Sequence, residues 1–385
     1  MKKNKILLIS ASVLALPILM FIFWWLKPNK KMVVAIIDKT VLTTDGQEHI
    51  SLTWILNHER LTKTNTKRYG ISNDYFGFFP KENEKFKIKG LERFSRSQLK
   101  QLSEDADLVY FTDTYGIFQS EWYKQTTSER TSGILYGGLS NNDLVFLEMM
   151  KEKNKLIITE FNTIGSPTTT ENRNRFENLF AMNWTGWTAR YFDSLDTLKN
   201  TELPKWLIKN YKAANQNRWL FKRAGIAFVS EKDEVVILES NTHLTNELPM
   251  IVTNKFGVEK FGLPERIKYP FWFDIIIPNH SVNESVSNFE ISTNEKGKKE
   301  LAKYGIPAVF PAVLMHQKND YQFFYFSGDF CDNHISMKTS YFAGIDFFKF
   351  LMYDTEDSME RNSFFWNFYK PLMTTILKDQ IIKRN

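Results

Sequence analysis

The chain has 385 residues, of which 43% are hydrophobic, 15% aromatic and 24% charged, a composition that excludes an intrinsically disordered protein. The formal charge of +6 arises from 50 basic and 44 acidic residues, but six of the lysines and none of the acids fall within residues 1–31. The rest of the chain therefore carries no net charge, which disfavours a general nucleic-acid-binding protein because such proteins need a basic surface.

The first predicted element is an apolar helix over residues 6–26, which contain no charged side chain. At about 1.5 Å per residue this helix is long enough for a hydrocarbon core of roughly 30 Å. Because lysines follow the long apolar run, residues 1–31 are predicted to be an uncleaved membrane anchor, with a cleavable signal peptide as the alternative. A short basic N-terminus usually stays in the cytoplasm, so we expect a single-pass protein of the bacterial cell membrane whose body is extracytoplasmic.

After this segment, strands alternate with helices. Continuous apolar runs at 32–38, 107–113 and 155–161 are typical of strands that are buried on both faces of a parallel sheet. Helices are predicted between them, and one of these follows Gly137 and Gly138, with Ser140 or Asn141 as its N-cap. This order predicts an α/β fold with a doubly wound, mostly parallel sheet and right-handed crossovers.

The middle of the chain departs from this alternation. Residues 225–239 have the pattern of a β-hairpin, and further strands are predicted up to residue 292. Apolar strands return at 307–315 and 322–327, and two helices end the chain. The sequence therefore predicts one α/β domain over residues 32–385, with an inserted mixed β/α subdomain at about 197–294.

The layout of the strand ends resembles a known family. Asp38 and Asp113 end two strands, strand 155–161 turns sharply into a helix, and a late hairpin ends in Tyr-Phe-Ser-Gly-Asp at 325–329. Over residues 32–192 and 305–353 this resembles the class I glutamine amidotransferase-like, or flavodoxin-like, fold. The resemblance is closest to trehalose-utilisation-type domains and to the middle domain of some bacterial β-galactosidases.

The resemblance also implies a departure from that family's activity. It places a nucleophilic cysteine on the elbow after the third strand, near residues 159–162, but the single cysteine of this chain is Cys331. Since that position lacks a thiol, the resemblance implies a divergent domain that does not hydrolyse glutamine through a cysteine.

Candidate site residues follow from the predicted strand ends. In an open α/β sheet, ligands bind at the carboxyl ends of the strands. Glu160 and Asp113 are predicted to form a catalytic pair of one acid and one base, and capping of nearby backbone is the alternative for each. The predicted ligand-binding residues at the same edge are Asp38, Tyr115 and Asn162.

Two other segments add candidates. Trp187 and Arg190 lie in a tryptophan-rich stretch at 183–193, which suits sugar rings but is also typical of a hydrophobic core. Asp329 begins a polar cluster that lacks the spacing of a zinc site, so no metal is predicted. No nucleotide-binding glycine motif is present, and no cofactor is predicted.

These observations favour a membrane-anchored, extracytoplasmic protein that binds or processes a glycan during assembly of a bacterial surface polysaccharide. Two alternatives remain open. One is a non-enzymatic scaffold with protein partners in the cell envelope, which would present a large apolar surface patch. The other is a hydrolase that uses paired carboxylates, for which the two carboxyl groups should lie about 5 to 9.5 Å apart.

Overall fold

The computed structural model describes residues 15–123 and 133–384. Their strands are β1 (Lys30–Lys31), β2 (Val34–Asp38), β3 (Leu61–Thr62), β4 (Phe76–Pro80), β5 (Phe86–Lys89), β6 (Leu108–Asp113), β7 (Ile117–Phe118), β8 (Ile134–Tyr136), β9 (Leu156–Glu160), β10 (Met182–Phe192), β11 (Gly225–Ser230), β12 (Val235–Glu239), β13 (Met250–Thr253), β14 (Arg266–Lys268), β15 (Phe273–Pro278), β16 (Glu284–Glu290), β17 (Val309–Gln317) and β18 (Gln322–Phe326). The helices are α1 (15–26), α2 (Ile50–His58), α3 (Arg96–Asp105), α4 (Gln119–Trp122), α5 (Asn141–Glu152), α6 (Thr170–Phe180), α7 (Lys205–Ala214), α8 (Lys255–Phe261), α9 (Glu295–Lys303), α10 (Asn362–Phe364) and α11 (Lys370–Arg384). Short 3-10 turns lie at Gln47–His49, Leu91–Arg93, Met337–Tyr341 and Ile345–Leu351, and a π-helical turn lies at Phe365–Tyr369.

The central sheet is mixed rather than mostly parallel. Its ten described strands lie in the order β14-β13-β16-β17-β18-β9-β6-β2-β4-β5. The neighbouring strands from β18 to β4 are parallel, and the pairs outside them are antiparallel. The α/β class is therefore correct, but the expected doubly wound, mostly parallel sheet is wrong. The sequence pattern indicated the antiparallel hairpin of β17 and β18, but it did not place β16, β13 and β14 beyond β17 in the same sheet, because a strand's composition does not record which strands are its neighbours.

The predicted transmembrane helix is also overturned. Within residues 15–123 and 133–384, no helix is long and apolar enough to cross a membrane, and residues 6–14 of the predicted span lie outside the described part. The end of α1 packs on the body instead. Trp24 is fully buried, its indole Nε1 donates to the Asn57 carbonyl at 3.2 Å, and the Arg60 guanidinium lies 4.9 Å from its ring. The cell-membrane location and the extracytoplasmic side remain predictions that rest on the sequence alone.

A second sheet adjoins the central sheet near the end of β18. It is antiparallel, in the order β12-β11-β10-β15. Phe273 forms a bridge with Gly328, and the Asp274 amide donates to the Ser327 carbonyl at 2.6 Å. The predicted insertion at 197–294 contributes to both sheets, since β11, β12 and β15 belong to the second sheet while β13, β14 and β16 extend the central one. The subdomain boundary remains a prediction.

The parallel strands bury both of their faces. Ile36 and Ile158 belong to the core on one face of the central sheet, and Ile37 and Ile157 belong to the core on the other face. Because successive side chains of a strand point to opposite faces, apolar residues occupy nearly every position until the strands end. Polar side chains therefore collect at the carboxyl edge of these strands, which is where the candidate site lies.

Candidate functional site

The parallel register brings three predicted acids to one edge of the central sheet. Asp38 pairs with Asp113 across β2 and β6, and Glu160 pairs with Phe326 across β9 and β18. Asp38 and Glu160 are fully buried, and Asp113 is 6% exposed. We call the space above these strand ends the strand-end crevice.

Asp113 joins the predicted residues Tyr115 and Asn162. Its Oδ1 accepts hydrogen bonds from the Tyr115 amide at 2.6 Å and from the Thr40 hydroxyl at 2.8 Å. Its Oδ2 accepts one from the Asn162 side-chain amide at 3.4 Å. Burial raises the pKa of Asp113 to about 7, and the nearby charge of Asp38 adds to this effect. The pKa of the Asp113 carboxyl group therefore lies close to neutral pH.

Asp38 is hydrogen-bonded to His49, a residue that the sequence pattern did not single out. The His49 Nδ1 lies 2.5 Å from the Asp38 Oδ2, and its Nε2 lies 2.7 Å from the Ile71 carbonyl. A carbonyl oxygen can only accept, so Nε2 carries a hydrogen. One further proton must then lie between Nδ1 and the carboxylate, either on the imidazole or on Asp38. Asp38 and His49 are therefore joined by a hydrogen bond between two buried side chains at the edge of the crevice.

Glu48 and Asp332 complete the acidic lining. Burial raises the pKa of Glu48 to about 10, and the charges of Asp38, Asp113 and Asp332 reinforce the rise. Gln47, one residue earlier, donates from its Nε2 to the Asp332 Oδ1 at 2.5 Å. Residues 47–49 form a single 3-10 turn, so one short element presents three polar side chains to the crevice. In the sequence these residues form an ordinary polar loop, which carries no periodic pattern.

Glu160 lies beneath the crevice. Its Oε2 accepts from the Tyr110 hydroxyl at 2.9 Å, and its Oε1 accepts from the Cys331 amide at 3.2 Å. Burial raises the pKa of Glu160 well above its usual range, with Asp329 and, more weakly, Asp113 adding to the rise. The charge of Asp113 therefore acts on the Glu160 carboxyl group. The Glu160 side chain is, however, fully buried and hydrogen-bonded to protein groups. Its predicted catalytic role remains a prediction.

Asp329 lies on the wall of a cavity of about 510 Å³ next to the end of β18. We call this the first cavity. Side chains from β10, from the residues before β15, from the segment after β18 and from the segment before α10 line it, among them Arg190, Phe271, Trp272, Asp329, Asp332 and Arg361. Of these, Arg190 and Asp329 were predicted as ligand-binding residues.

Arg361 is held rigidly in the first cavity. Its Nη1 donates to the Asp332 Oδ2 at 2.7 Å, and its Nη2 lies 3.5 Å from the Asp329 Oδ2. The guanidinium carbon lies 4.0 Å from the centre of the Phe271 ring. The two carboxylates raise the pKa of Arg361 despite its burial, so the guanidinium is always charged. No periodic pattern in the sequence marks this arginine.

Trp187 is placed away from these residues. It is 6% exposed, and its ring packs against Tyr304 with 5.7 Å between ring centres. Arg190 lies three positions further along β10, so the two side chains point to opposite faces of the strand. Arg190 faces the first cavity and pairs with Glu202 at 2.5 Å.

The side-chain geometry also bears on metal ligation. In the described ranges of the chain, no group of three or more His, Cys, Asp or Glu side chains is arranged to hold a metal ion. The groups that line the crevice and the first cavity can supply hydrogen bonding, charge and proton transfer, through carboxylates, His49 and Arg361.

No family model and no curated protein matches this chain. Among solved structures, it is similar to a ThuA-like protein from Parabacteroides merdae, with 12% identity, a TM-score of 0.34 and coverage of 78% of this chain and 79% of that one. It is similar to a β-galactosidase from Bacillus circulans, with 10% identity, a TM-score of 0.25 and coverage of 60% and 22%. It is also similar to the carbohydrate deacetylase Agd3, with 9% identity, a TM-score of 0.30 and coverage of 78% and 29%. The structural neighbours thus include a ThuA-like protein, and the divergence of this chain from the resembled family remains a prediction.

Proposed function

We propose that this protein binds a glycan in the first cavity and the adjoining strand-end crevice. The observation that carries the proposal is the wall of the first cavity, where Trp272 and Phe271 lie beside Arg361 and its two carboxylates. Sugar rings present apolar C–H faces and a rim of hydroxyl groups. Aromatic side chains suit the faces, while charged donors and acceptors in fixed positions suit the rim.

The fixed position of Arg361 supports selective recognition. Its guanidinium is held by Asp332 and Asp329 and lies over Phe271, so little side-chain entropy is lost when a ligand binds. The acceptor oxygens of Asp329 and Asp332 are oriented by the same contacts. A hydroxyl-rich ligand would therefore meet a preorganised set of donors and acceptors.

The raised pKa of Asp113 favours a second candidate function, glycan hydrolysis by paired carboxylates. The pKa of Asp113 is raised to about 7 through burial, and the carboxyl group of Asp38, which is hydrogen-bonded to His49, lies beside it. A carboxyl group whose pKa lies near neutral pH, next to a second carboxyl group, is suited to general acid–base chemistry. Binding without turnover remains the leading proposal because the wall of the first cavity supports it without any proton transfer.

The proposal includes the setting expected from the sequence, which is assembly or processing of a bacterial surface polysaccharide. That setting has only the amino-acid sequence as its support. A scaffold role with protein partners in the cell envelope is the competing proposal, and it requires no glycan affinity.

Glycan binding is tested with the full chain on an array of bacterial surface polysaccharides, followed by calorimetric titration. We expect wild-type protein to bind, and we expect Trp272→Ala to weaken the affinity about tenfold because an aromatic face in contact with the sugar is lost. The matched control is Trp206→Ala, which removes a tryptophan that is 37% exposed on α7 and does not line the first cavity. If wild-type protein binds no glycan, or if both variants bind as wild type does, the proposal is wrong.

A further inference from the structure

Helix α1 is apolar on every side and is only partly covered by the rest of the protein. Residues 15–26 include no charged side chain. Met20 and Trp24 are the two positions of α1 that are not exposed, and they lie one turn apart on the same side of the helix. The other ten positions are exposed. A helix that is apolar all round is normally enclosed, so most of the surface of α1 lacks a partner within the described part of the chain.

A short turn beside α1 directs aromatic side chains outward. The Ala343 amide donates to the Met20 carbonyl at 3.0 Å, and the 3-10 turn Ile345–Leu351 begins two residues later. In this turn Phe347 is 78% exposed and Phe350 is 62% exposed. They are three positions apart, the spacing at which side chains of a 3-10 helix lie on the same side. The two rings therefore form one apolar edge beside α1.

The charged residues of the same turn contact the body of the protein. The Lys349 Nζ donates to the Asn367 Oδ1 at 2.8 Å, and Asp346 forms an ion pair with Lys370. A solvated turn normally has the opposite arrangement, with its polar side chains in water and its apolar ones against protein. This turn therefore presents its phenylalanines to an apolar partner. We call the exposed side chains of α1 and of Ile345–Leu351 the apolar face.

Basic side chains border the apolar face. The Arg68 side chain is exposed, and its guanidinium carbon lies 4.7 Å from the centre of the Trp24 ring. Lys30 and Lys31 follow α1 closely and are also exposed, and residues 1–31 contain no acid. An apolar surface bordered by positive charge is complementary to a bilayer with anionic lipids, whose negative headgroups lie above an apolar interior.

A second copy of the chain is a poorer match for the apolar face. A two-fold symmetric dimer brings the same surface of both copies together, so the two basic borders would lie close to each other. Like charges brought together in an interface oppose association. Anionic headgroups would instead neutralise the same lysines and Arg68.

We propose that the apolar face docks on a lipid bilayer that contains anionic lipids, with Phe347 and Phe350 in the interfacial layer and the basic border against the headgroups. The residues of the apolar face do not line the first cavity. Membrane docking is therefore independent of the proposed glycan binding, and each can be tested without the other.

The test places a fluorescent label on the turn of full-length protein. The single native cysteine, Cys331, is fully buried, so a thiol-reactive nitrobenzoxadiazole label attaches to an introduced cysteine instead. The key variant is Phe350→Cys. The matched control is Leu198→Cys, which replaces an apolar residue that is 95% exposed and lies outside the apolar face. Neither substitution removes a core side chain.

The labelled proteins are mixed with vesicles of phosphatidylglycerol and phosphatidylethanolamine, or with vesicles of phosphatidylcholine. Both kinds of vesicle contain a lipid with a nitroxide quencher on its acyl chain. We expect the anionic vesicles to quench the label at position 350 and to leave the label at position 198 unchanged. The protein should also bind the anionic vesicles at least about fivefold more tightly, because the basic border contacts their headgroups.

Three results of the vesicle experiment would refute docking: quenching at neither position, quenching at both, or equal affinity for the two kinds of vesicle. A dimer in solution would refute it as well if the label at position 350 were shielded from aqueous iodide before vesicles are added, since a second copy would then cover the apolar face. None of these results bears on glycan binding.

Discussion

At the scale of single residues, Gly46 keeps His49 in contact with Asp38. The backbone of Gly46 has φ +57°, and a Cβ at this position would lie 2.7 Å from the His49 ring. Gly262 has φ +67° and open space around the corresponding position. A comparison of alanine substitutions at the two glycines therefore separates the energetic cost of a left-handed backbone from the cost of displacing the His49 imidazole.

We expect Gly262→Ala to lower the free energy of unfolding by about 1 kcal/mol, because only the backbone is strained. Gly46→Ala should cost at least about 1 kcal/mol more, since the added methyl group also displaces His49. Urea denaturation of both variants measures the difference. Equal losses of stability would show that His49 moves aside freely.

The Asp113 side chain makes the free energy of unfolding depend on pH. Its pKa is raised to about 7 in the folded protein, so between about pH 4 and pH 7 the folded state holds a proton that the unfolded state has released. Its contribution to stability is full at low pH and is lost as the pH rises through the folded pKa, with a slope of up to about 1.4 kcal/mol per pH unit. Burial raises the pKa of Asp274 to about 7 as well, so the two acids act in the same range.

We expect Asp113→Asn to make the free energy of unfolding fall less steeply between about pH 4 and pH 7 than it does in wild-type protein. Denaturation curves at several pH values give the slopes. Asp105→Asn, at an exposed position on α3, is the control and should keep the wild-type slope. An unchanged slope for Asp113→Asn would contradict the assignment.

At the scale of elements, Lys39 joins the end of β2 to the start of α5. It is fully buried, its Nζ lies 2.6 Å from the Asp143 Oδ2, and it donates to the Gly138 carbonyl at 2.9 Å. Glu92 is a further partner of the same ammonium group. Asp143 in turn accepts from the Ser140 amide at the N-terminus of α5. One buried ion pair therefore positions a strand end, a glycine turn and a helix.

We expect Lys39→Met to lower the free energy of unfolding by about 3 kcal/mol or more, because Asp143 would remain buried without its cation. The double variant Lys39→Met, Asp143→Leu should recover part of this loss. Lys100→Met is the control, since Lys100 pairs with Glu104 at 4.0 Å on an exposed surface and such pairs contribute little. Urea denaturation distinguishes the three, and a small loss for Lys39→Met would show that water reaches Asp143.

The elements also show which parts of the fold are predictable from sequence. Local sequence patterns predicted three buried strands and one helix start correctly. These are β2, β6, β9 and the N-cap Ser140 of α5. The antiparallel hairpin of β17 and β18 was expected, but the extension of the central sheet by β16, β13 and β14 was not predictable, because a strand's pattern does not record which strands become its neighbours. The end of α1 was not predictable either, since an apolar helix that packs on protein through Trp24 has the composition of one that packs in a membrane.

The same distinction applies to the site. Asp38, Asp113 and Asn162 follow strands in sequence, so their meeting at one edge was predictable. Arg361 reaches the first cavity, and Gln47 the crevice, through contacts with Asp332 that span 29 and 285 residues of sequence. Contacts of this kind depend on how loops pack in three dimensions, and no local periodicity of the sequence indicates them.

At the scale of the whole molecule, the first cavity is lined by residues of the second sheet and by residues that follow β18 of the central sheet in the chain. Arg190 reaches it from β10 of the second sheet, and Asp329 reaches it from the end of β18 in the central sheet. The Tyr325 hydroxyl donates to the Asp274 Oδ2 at 2.6 Å, a contact that ties the two sheets together beside the site. A ligand in the first cavity would touch both sheets and stabilise their association.

The parallel pairing of β9 with β18 has a consequence for the order of folding. It brings Glu160 to the amide of Cys331, a contact between residues 171 positions apart. Such distant contacts close large loops and form slowly, so the strands on either side of this pair can assemble before it does. During synthesis the chain emerges from its N-terminus, and β18 leaves the ribosome long after β2, β6 and β9. We therefore expect the site to be completed only after β18 has been synthesised, since a chain truncated before β18 would lack the wall that carries Asp329 and Asp332.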